Sequence, residues 1–155
     1  MTNRIEQRLT ELGLTLPQAA APAANYVPTR ISGSQLFISG QLPMGPGGLE
    51  VIGRLGKDVS LEEGRAAARL CAVNLLAQAK SALEGDLTRI KATIRIGVFV
   101  SSSPDFHEHH LVANGASDLI AEVLGEAGIH ARAAVGVACL PLNAAVEAEA
   151  IFEIG

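Results

Sequence analysis

Two charged residues interrupt apolar, strand-like sequence near the C-terminus. Arg132 stands at the head of Ala131–Leu140 (ARAAVGVACL) and Glu147 inside Val146–Ile154 (VEAEAIFEI). An arginine opening so apolar a run is costly unless it meets an anion, and its planar fork fits a carboxylate through two parallel hydrogen bonds. A glutamate in a partly dry cleft tends towards a raised pKa, which suits proton transfer near neutrality, unless a nearby arginine pulls it down. The anion that Arg132 meets could be a protein side chain or a small acid. The bland alternative for Arg132 is an ion pair with a carboxylate of this same protein across a subunit boundary.

The remaining chemistry-bearing residues form weaker patterns. His107-Glu108-His109-His110 has histidine spacings of two and three, which do not match the four-residue spacing of a helical zinc motif; a solvated helix N-terminus is the expectation. Ser39 and Ser101–Ser103 have neither a strand-to-helix elbow motif nor an evident base, so a serine nucleophile is disfavoured. Cys71 and Cys139 lack metal or redox spacing and are expected to be small core residues. Met44-Gly45-Pro46-Gly47-Gly48 has no Lys-Ser/Thr and no helix behind it, so it is not a phosphate cradle. Tyr26, the one tyrosine, directly follows an Ala/Pro-rich stretch; burial alone would account for it.

These residues must be held by elements that the periodicity outlines. Ile5, Leu9 and Leu12 predict a short helix over 3–12, followed by a linker through Ala24. Tyr26–Ile31 and Gln35–Ser39 predict a hairpin about Ser32-Gly33-Ser34. Ser60-Leu61-Glu62-Glu63 is a capping box that opens a helix to about Leu83, stopped by Gly85. Ile90–Ser101 predicts a strand, the apolar residues from Phe106 to Leu124 a second long helix, and the two C-terminal runs a hairpin about Leu142-Asn143. The near-continuous apolar run from Ala131 is expected to be buried, and the alternating one from Val146 half-exposed. In that hairpin Arg132 would lie opposite residues near Glu153 and far from Glu147, so any cooperation between them would be across an interface. The order predicts an α+β sandwich, two helices on one face of a mixed sheet, with the other face covered by self-association. Residues 1–24 are expected to form the N-terminal helix and linker, and 25–155 a single domain.

Composition narrows the function. The 155 residues are enough for one real core, and 48% hydrophobic with 18% charged residues indicates a compact fold. A net charge of −4 and 3% aromatics disfavour nucleic acid, which needs basic surface and stacking rings. No leader-like or membrane-spanning run is evident, and a cytoplasmic location is expected.

Taken together, Tyr26, Leu36-Phe37-Ile38-Ser39-Gly40-Gln41-Leu42-Pro43, Asn114, and Arg132 through Leu140-Pro141 to Val146-Glu147-Ala148-Glu149-Ala150 resemble the signature of the RidA/YjgF family of reactive-intermediate deaminases, also called the endoribonuclease L-PSP family. The resemblance implies a chorismate mutase-like fold, a homotrimer whose sheets form a central barrel, and sites in the clefts between subunits. It implies that Arg132 binds the carboxylate of a 2-imino or 2-enamino acid, that Glu147 holds the attacking water, and that Tyr26, Gly40, Asn114 and the backbone at Ala134 line the pocket. It implies no metal or organic cofactor. The family often has a cysteine at the position of Ala134, which argues here against thiol chemistry. The N-terminal helix and the histidine-rich segment mark a divergent subgroup. The expected activity is cofactor-independent imine deamination. The alternatives are a non-catalytic binder of small carboxylates or of a protein partner, and, disfavoured by charge, an RNA-cleaving translation inhibitor.

Overall fold

A computed structural model describes residues 3–22 and 24–155. Its centre is a five-stranded sheet of order β1-β2-β7-β5-β6, made of β1 (Thr29–Ser32), β2 (Gln35–Gln41), β5 (Ile90–Ser101), β6 (Ala131–Val137) and β7 (Val146–Ile154). The Met44–Gly48 loop carries a two-stranded ribbon that periodicity did not reveal, β3 (Met44–Gly45) and β4 (Gly48–Leu49). Helices α2 (Leu61–Ala82) and α3 (His109–Leu124) pack side by side on one face of the sheet. The sheet is mixed, since β5 and β6 run parallel while its other neighbours are antiparallel. It is open and does not close into a barrel.

Local chemistry explains the helices. Ser60 accepts from the Glu63 amide while the Glu63 carboxylate takes the Ser60 N–H, both at 3.1 Å, which satisfies two otherwise orphaned donors of α2. After α2, Gly85 takes φ +91°, a value costly for a residue with a Cβ. The fully buried face of α2, with Ala68, Cys71, Ala72, Leu75 and Ala79, is mostly small; that lets the helix lie close to Leu36, Val98, Ala148 and Phe152 of the sheet.

Two expectations about the C-terminal strands are corrected. β6 and β7 form no hairpin: β6 pairs parallel with β5, and β7 lies on the other side of β5, between it and β2. The β5–α3–β6 crossover returns the chain parallel to β5, and such a unit sets its two strands side by side. The connection to β7 then crosses the end of β5. It is pinned where Ile52 bridges Ala144 and where the Gly53 and Ala145 amides meet the Asn143 and Val51 carbonyls. Leu142 and Asn143 both take positive φ there, 60° and 61°. The second correction concerns burial. The apolar β6 is the exposed edge of the sheet, with Val135 47% exposed, whereas the glutamate-bearing β7 is central and alternates buried with part-exposed residues, as its pattern predicts. The outward face of β6, with Val135, is apolar without being covered by its own chain, while Arg132 and Ala134 face α3 and the core.

Helix α1 (Arg4–Glu11) belongs to the same core. Asn3 caps it, Leu9 is buried, Arg8 Nη1 donates to the Val123 carbonyl at 3.3 Å, and Glu6 pairs with Lys80 at 2.9 Å. Leu9→Ala is expected to lower stability by about 2–3 kcal/mol, which thermal denaturation would register as a fall in Tm of roughly 5–10 °C. An unchanged Tm would mean that α1 docks without contributing. The segment after α1 is also held: Gln78 Nε2 of α2 donates to the Ala20 carbonyl at 2.8 Å.

Candidate functional site

Arg132 and Asn114 form one pole. In the parallel β5–β6 register Arg132 stands beside Ile96, on the helix-covered side of the sheet. Its Nη1 donates to Asn114 Oδ1 at 2.9 Å and Ser117 Oγ at 3.1 Å, and its Nη2 to the His110 carbonyl at 3.2 Å. Asn114 and Ser117 are three residues apart on α3 and so share the helix face that meets β6. Ser117 Oγ also lies 2.8 Å from His130 Nε2, while His130 Nδ1 lies 2.6 Å from the Gly128 carbonyl. A carbonyl only accepts, so in the neutral ring Nδ1 carries the hydrogen and Nε2 takes the Ser117 hydroxyl proton. The lone pairs of Ser117 then face the arginine. Arg132 forms no ion pair among the described residues, and its Nε–H and one Nη2–H have no protein acceptor there. This is a positioned, half-buried guanidinium with donors to spare.

Glu147 and Gly40 form the other pole. Glu147 pairs with Phe99 of β5, on the sheet face that no helix covers. Between Ile38–Ala150 and Gln41–Ala148 the β2 strand takes three steps against two on β7, a bulge at Ser39-Gly40 beside which Gly40 lies against the Glu147 side chain. A Cβ on Gly40 would fall 2.8 Å from Glu147 Cδ and 2.9 Å from Oε2, so glycine is what lets strand and carboxylate approach this closely. Burial pushes the Glu147 carboxyl above its usual range, and the neighbouring charge of Glu149 adds to the effect. Gly40→Ala is expected to leave the fold intact, because the carboxylate is the flexible end of its side chain. It should displace that carboxylate while the melting temperature stays close to wild type, which a matched pair of melting curves checks.

Next to this pole lies a cavity of about 100 Å³ walled by Ala20, Tyr26, Gly40, Gln41, Leu42 and Leu142. Ser39 Oγ donates to the Val27 carbonyl at 2.8 Å and ties the Tyr26 loop to β2. Buried Asn74 of α2 donates to the Leu42 and Met44 carbonyls at 3.1 and 2.9 Å, which fixes the turn after Gln41. Tyr26 is 46% exposed in a bend before β1, so burial within its own chain does not account for it.

One chain therefore groups Tyr26, Gly40 and Glu147, and separately Arg132, Asn114 and, on β6 beside Val98, Ala134. The two poles lie on opposite faces of the sheet with β5 between Arg132 and Glu147. Sequence inspection missed Ser117 and His130; the Asn114–Ser117 spacing on a predicted helix was the available signal. It also found no base for the serines, yet His109 Nε2 lies 3.1 Å from Ser102 Oγ. Among the described residues no group of His, Cys, Asp and Glu is arranged to hold a metal, and no helix is long and apolar enough to cross a membrane. Cys71 is buried, as expected, with its thiol pushed well up by desolvation, but Cys139 is exposed on the β6–β7 connection and is not a core residue.

Comparison with known proteins bears on this geometry. The model of the family described as YjgF/chorismate mutase-like, putative endoribonuclease matches residues 6–153. Protein TCP17 of Trypanosoma cruzi is 52% identical over 154 residues, which covers 99% of this chain and 96% of that protein. The crystal structure of Atu1372 from Agrobacterium tumefaciens, a protein of unknown function, is 59% identical, covers 97% of this chain and 92% of its own, and superposes with a TM-score of 0.92. Escherichia coli TdcF, solved with bound serine, is 25% identical over 89% of this chain and 94% of its own, with a TM-score of 0.63.

Proposed function

Since the chain belongs to the RidA/YjgF family and has its chorismate mutase-like α+β fold, we propose that it hydrolyses small 2-imino or 2-enamino acids to 2-keto acids and ammonia, without a cofactor, in clefts completed by a second copy of the chain. The observation that carries this reading is Arg132: a guanidinium oriented by Asn114, Ser117 and the His110 carbonyl, with free donors and no carboxylate partner among the described residues. The serine bound to TdcF is a small molecule with a carboxylate of the kind such a group would hold.

In this mechanism Arg132 and Asn114 at the open edge of one copy meet Glu147, Gly40 and Tyr26 of a neighbour. The separation of the two poles within one chain supports that pairing, and a homotrimer assembled over the uncovered sheet face would accommodate it. The exposed Phe37 and Val135 on that face supply apolar area for the contact. Arg132 fixes the substrate carboxylate. A water held by Glu147 adds its oxygen to C2 of the protonated imine while one water proton passes to the glutamate, which gives a neutral carbinolamine. Glu147 returns that proton to the amino nitrogen, the C–N bond breaks with its electron pair going to nitrogen, and the hydroxyl proton leaves for the departing ammonia as C2 becomes the ketone. Ammonia is the leaving group. The raised pKa of Glu147 places a proton-accepting and proton-returning group nearer neutrality.

The test is ammonia release from 2-iminopropionate, generated in situ by an amino-acid oxidase. Wild type is expected to accelerate it over buffer. The second reading, a non-catalytic binder of small carboxylates, is favoured by Ala134, which stands where the family often has a cysteine. Binding of pyruvate without acceleration of any imine tried would select it.

A further inference from the structure

A second cavity, of about 400 Å³, opens at the far end of β6, about 13 Å along the strand from Arg132 at some 3.3 Å per residue. Its walls include Arg54, Ser102, Phe106, His107, His109 and Gly136, and none of the described residues that line it carries a carboxylate. The acids nearest in sequence are engaged elsewhere: Asp58 accepts the backbone amide of Arg54 at 2.6 Å, and Asp105 accepts the Ser103 hydroxyl at 2.8 Å. Among the described residues the Arg54 guanidinium makes a single hydrogen bond, Nη2 to the Ser102 carbonyl at 3.3 Å; its Nε is buried with no hydrogen-bond partner there, and it joins no ion pair. A half-buried guanidinium so poorly satisfied is costly and is relieved by an anion. His109 is held across the floor by Ser102 Oγ at 3.1 Å and by the Phe106 ring, perpendicular to it at 5.2 Å. Gly136 completes the shape: a Cβ there would fall 2.5 Å from His109 Nε2 and 2.7 Å from Ser102 Oγ.

We propose that this cavity is a binding site for a small oxyanion, carboxylate or phosphate, separate from the Arg132 site and recognised by Arg54 with the Ser102 hydroxyl and the His109 ring. A volume of this size admits a whole metabolite-sized acid. Ser102 and His109 reorient to donate to the anion, and the guanidinium gains the acceptor it lacks. Since the site uses none of the residues assigned to imine hydrolysis, it stands whether or not that activity does.

The experiment titrates inorganic phosphate and acetate, separately and at constant ionic strength with chloride, into the full chain carrying Arg132→Ala, so that the edge arginine does not contribute. The readouts are calorimetry and the imidazole resonances of His109. Saturable binding of either anion with movement of the His109 signals is expected, with Arg54→Gln raising Kd at least 10-fold and Gly136→Ala doing the same by filling the cradle. Tighter binding of phosphate would identify phosphorylated ligands, and tighter binding of acetate carboxylic acids. No saturable binding of either anion, or binding that persists unchanged in a folded Arg54→Gln chain, overturns the proposal.

Discussion

Arg132→Ala is expected to lower kcat/KM for 2-iminopropionate by about 100-fold or more, a loss of roughly 3 kcal/mol of transition-state stabilisation, while melting temperature and oligomer mass stay close to wild type. The size of the effect follows from the site. The guanidinium is already oriented by three hydrogen bonds to α3, so a carboxylate would meet it without the cost of ordering it first. Stability should change little because Arg132 lies on an edge strand and its partners, Asn114 and Ser117, are polar and only partly buried. Arg132→Lys restores charge but not the planar fork, and should recover only a fraction of the rate. Ammonia release at several substrate concentrations, with a parallel melting curve and an oligomer mass from light scattering, checks these statements. Full activity in the alanine variant would remove Arg132 as the anchor, and with it the observation on which the deaminase reading rests.

Glu147→Gln is expected to abolish most turnover, about 100-fold, and at the same time to stabilise the protein at neutral pH. The two effects share a cause. Burial and then Glu149 raise the Glu147 pKa in the folded chain above the usual value of 4.5. The folded state thus holds this proton more tightly than the unfolded one, so the contribution of Glu147 is fully present below the unfolded pKa and is lost as pH rises through the folded one. At pH 7 the charged carboxylate sits in a half-dry position beside another glutamate, Glu149, which itself is only loosely paired with Arg95 at 3.7 Å. Glutamine removes that cost. Denaturant unfolding at pH 7 should show the variant more stable than wild type, and the gap should close as pH falls below about 4.5, where both side chains are neutral. A variant less stable than wild type at pH 7 would mean that the carboxylate has a cationic partner in the assembled protein. The pH–rate profile of wild type should likewise rise through a pKa above the ordinary glutamate range and flatten.

Much of the architecture was legible because it is local. The capping box at Ser60–Glu63 begins α2 one residue later, β5 runs over Ile90–Ser101 as its β-branched pattern predicts, and Gly125 ends α3. Asn114 and Arg132 were legible as residues of interest, and their direct hydrogen bond joins them. The hairpin between the last two strands was not, nor was the exposure of β6. A period-two pattern records which side chains share a face; it carries nothing about which strand lies alongside, and an apolar edge reads like an apolar centre.

What the sequence by itself determined is therefore the set of elements and the kinds of chemistry available: one arginine and one glutamate in otherwise apolar strands, a glycine in Ser-Gly-Gln, and helices long enough to cover one face of a sheet. Tertiary structure alone decided how those groups are used. The β5–α3–β6 crossover sends β6 to the edge and puts Arg132 under α3. The β2 bulge presses Gly40 against Glu147 on the opposite face. The turn that brings His130 to Ser117 sets the tautomer behind the arginine. Each of these depends on contacts between residues distant along the chain or on the direction in which a strand is laid down, and such choices are made by the packing of the whole domain, where no local pattern distinguishes the alternatives.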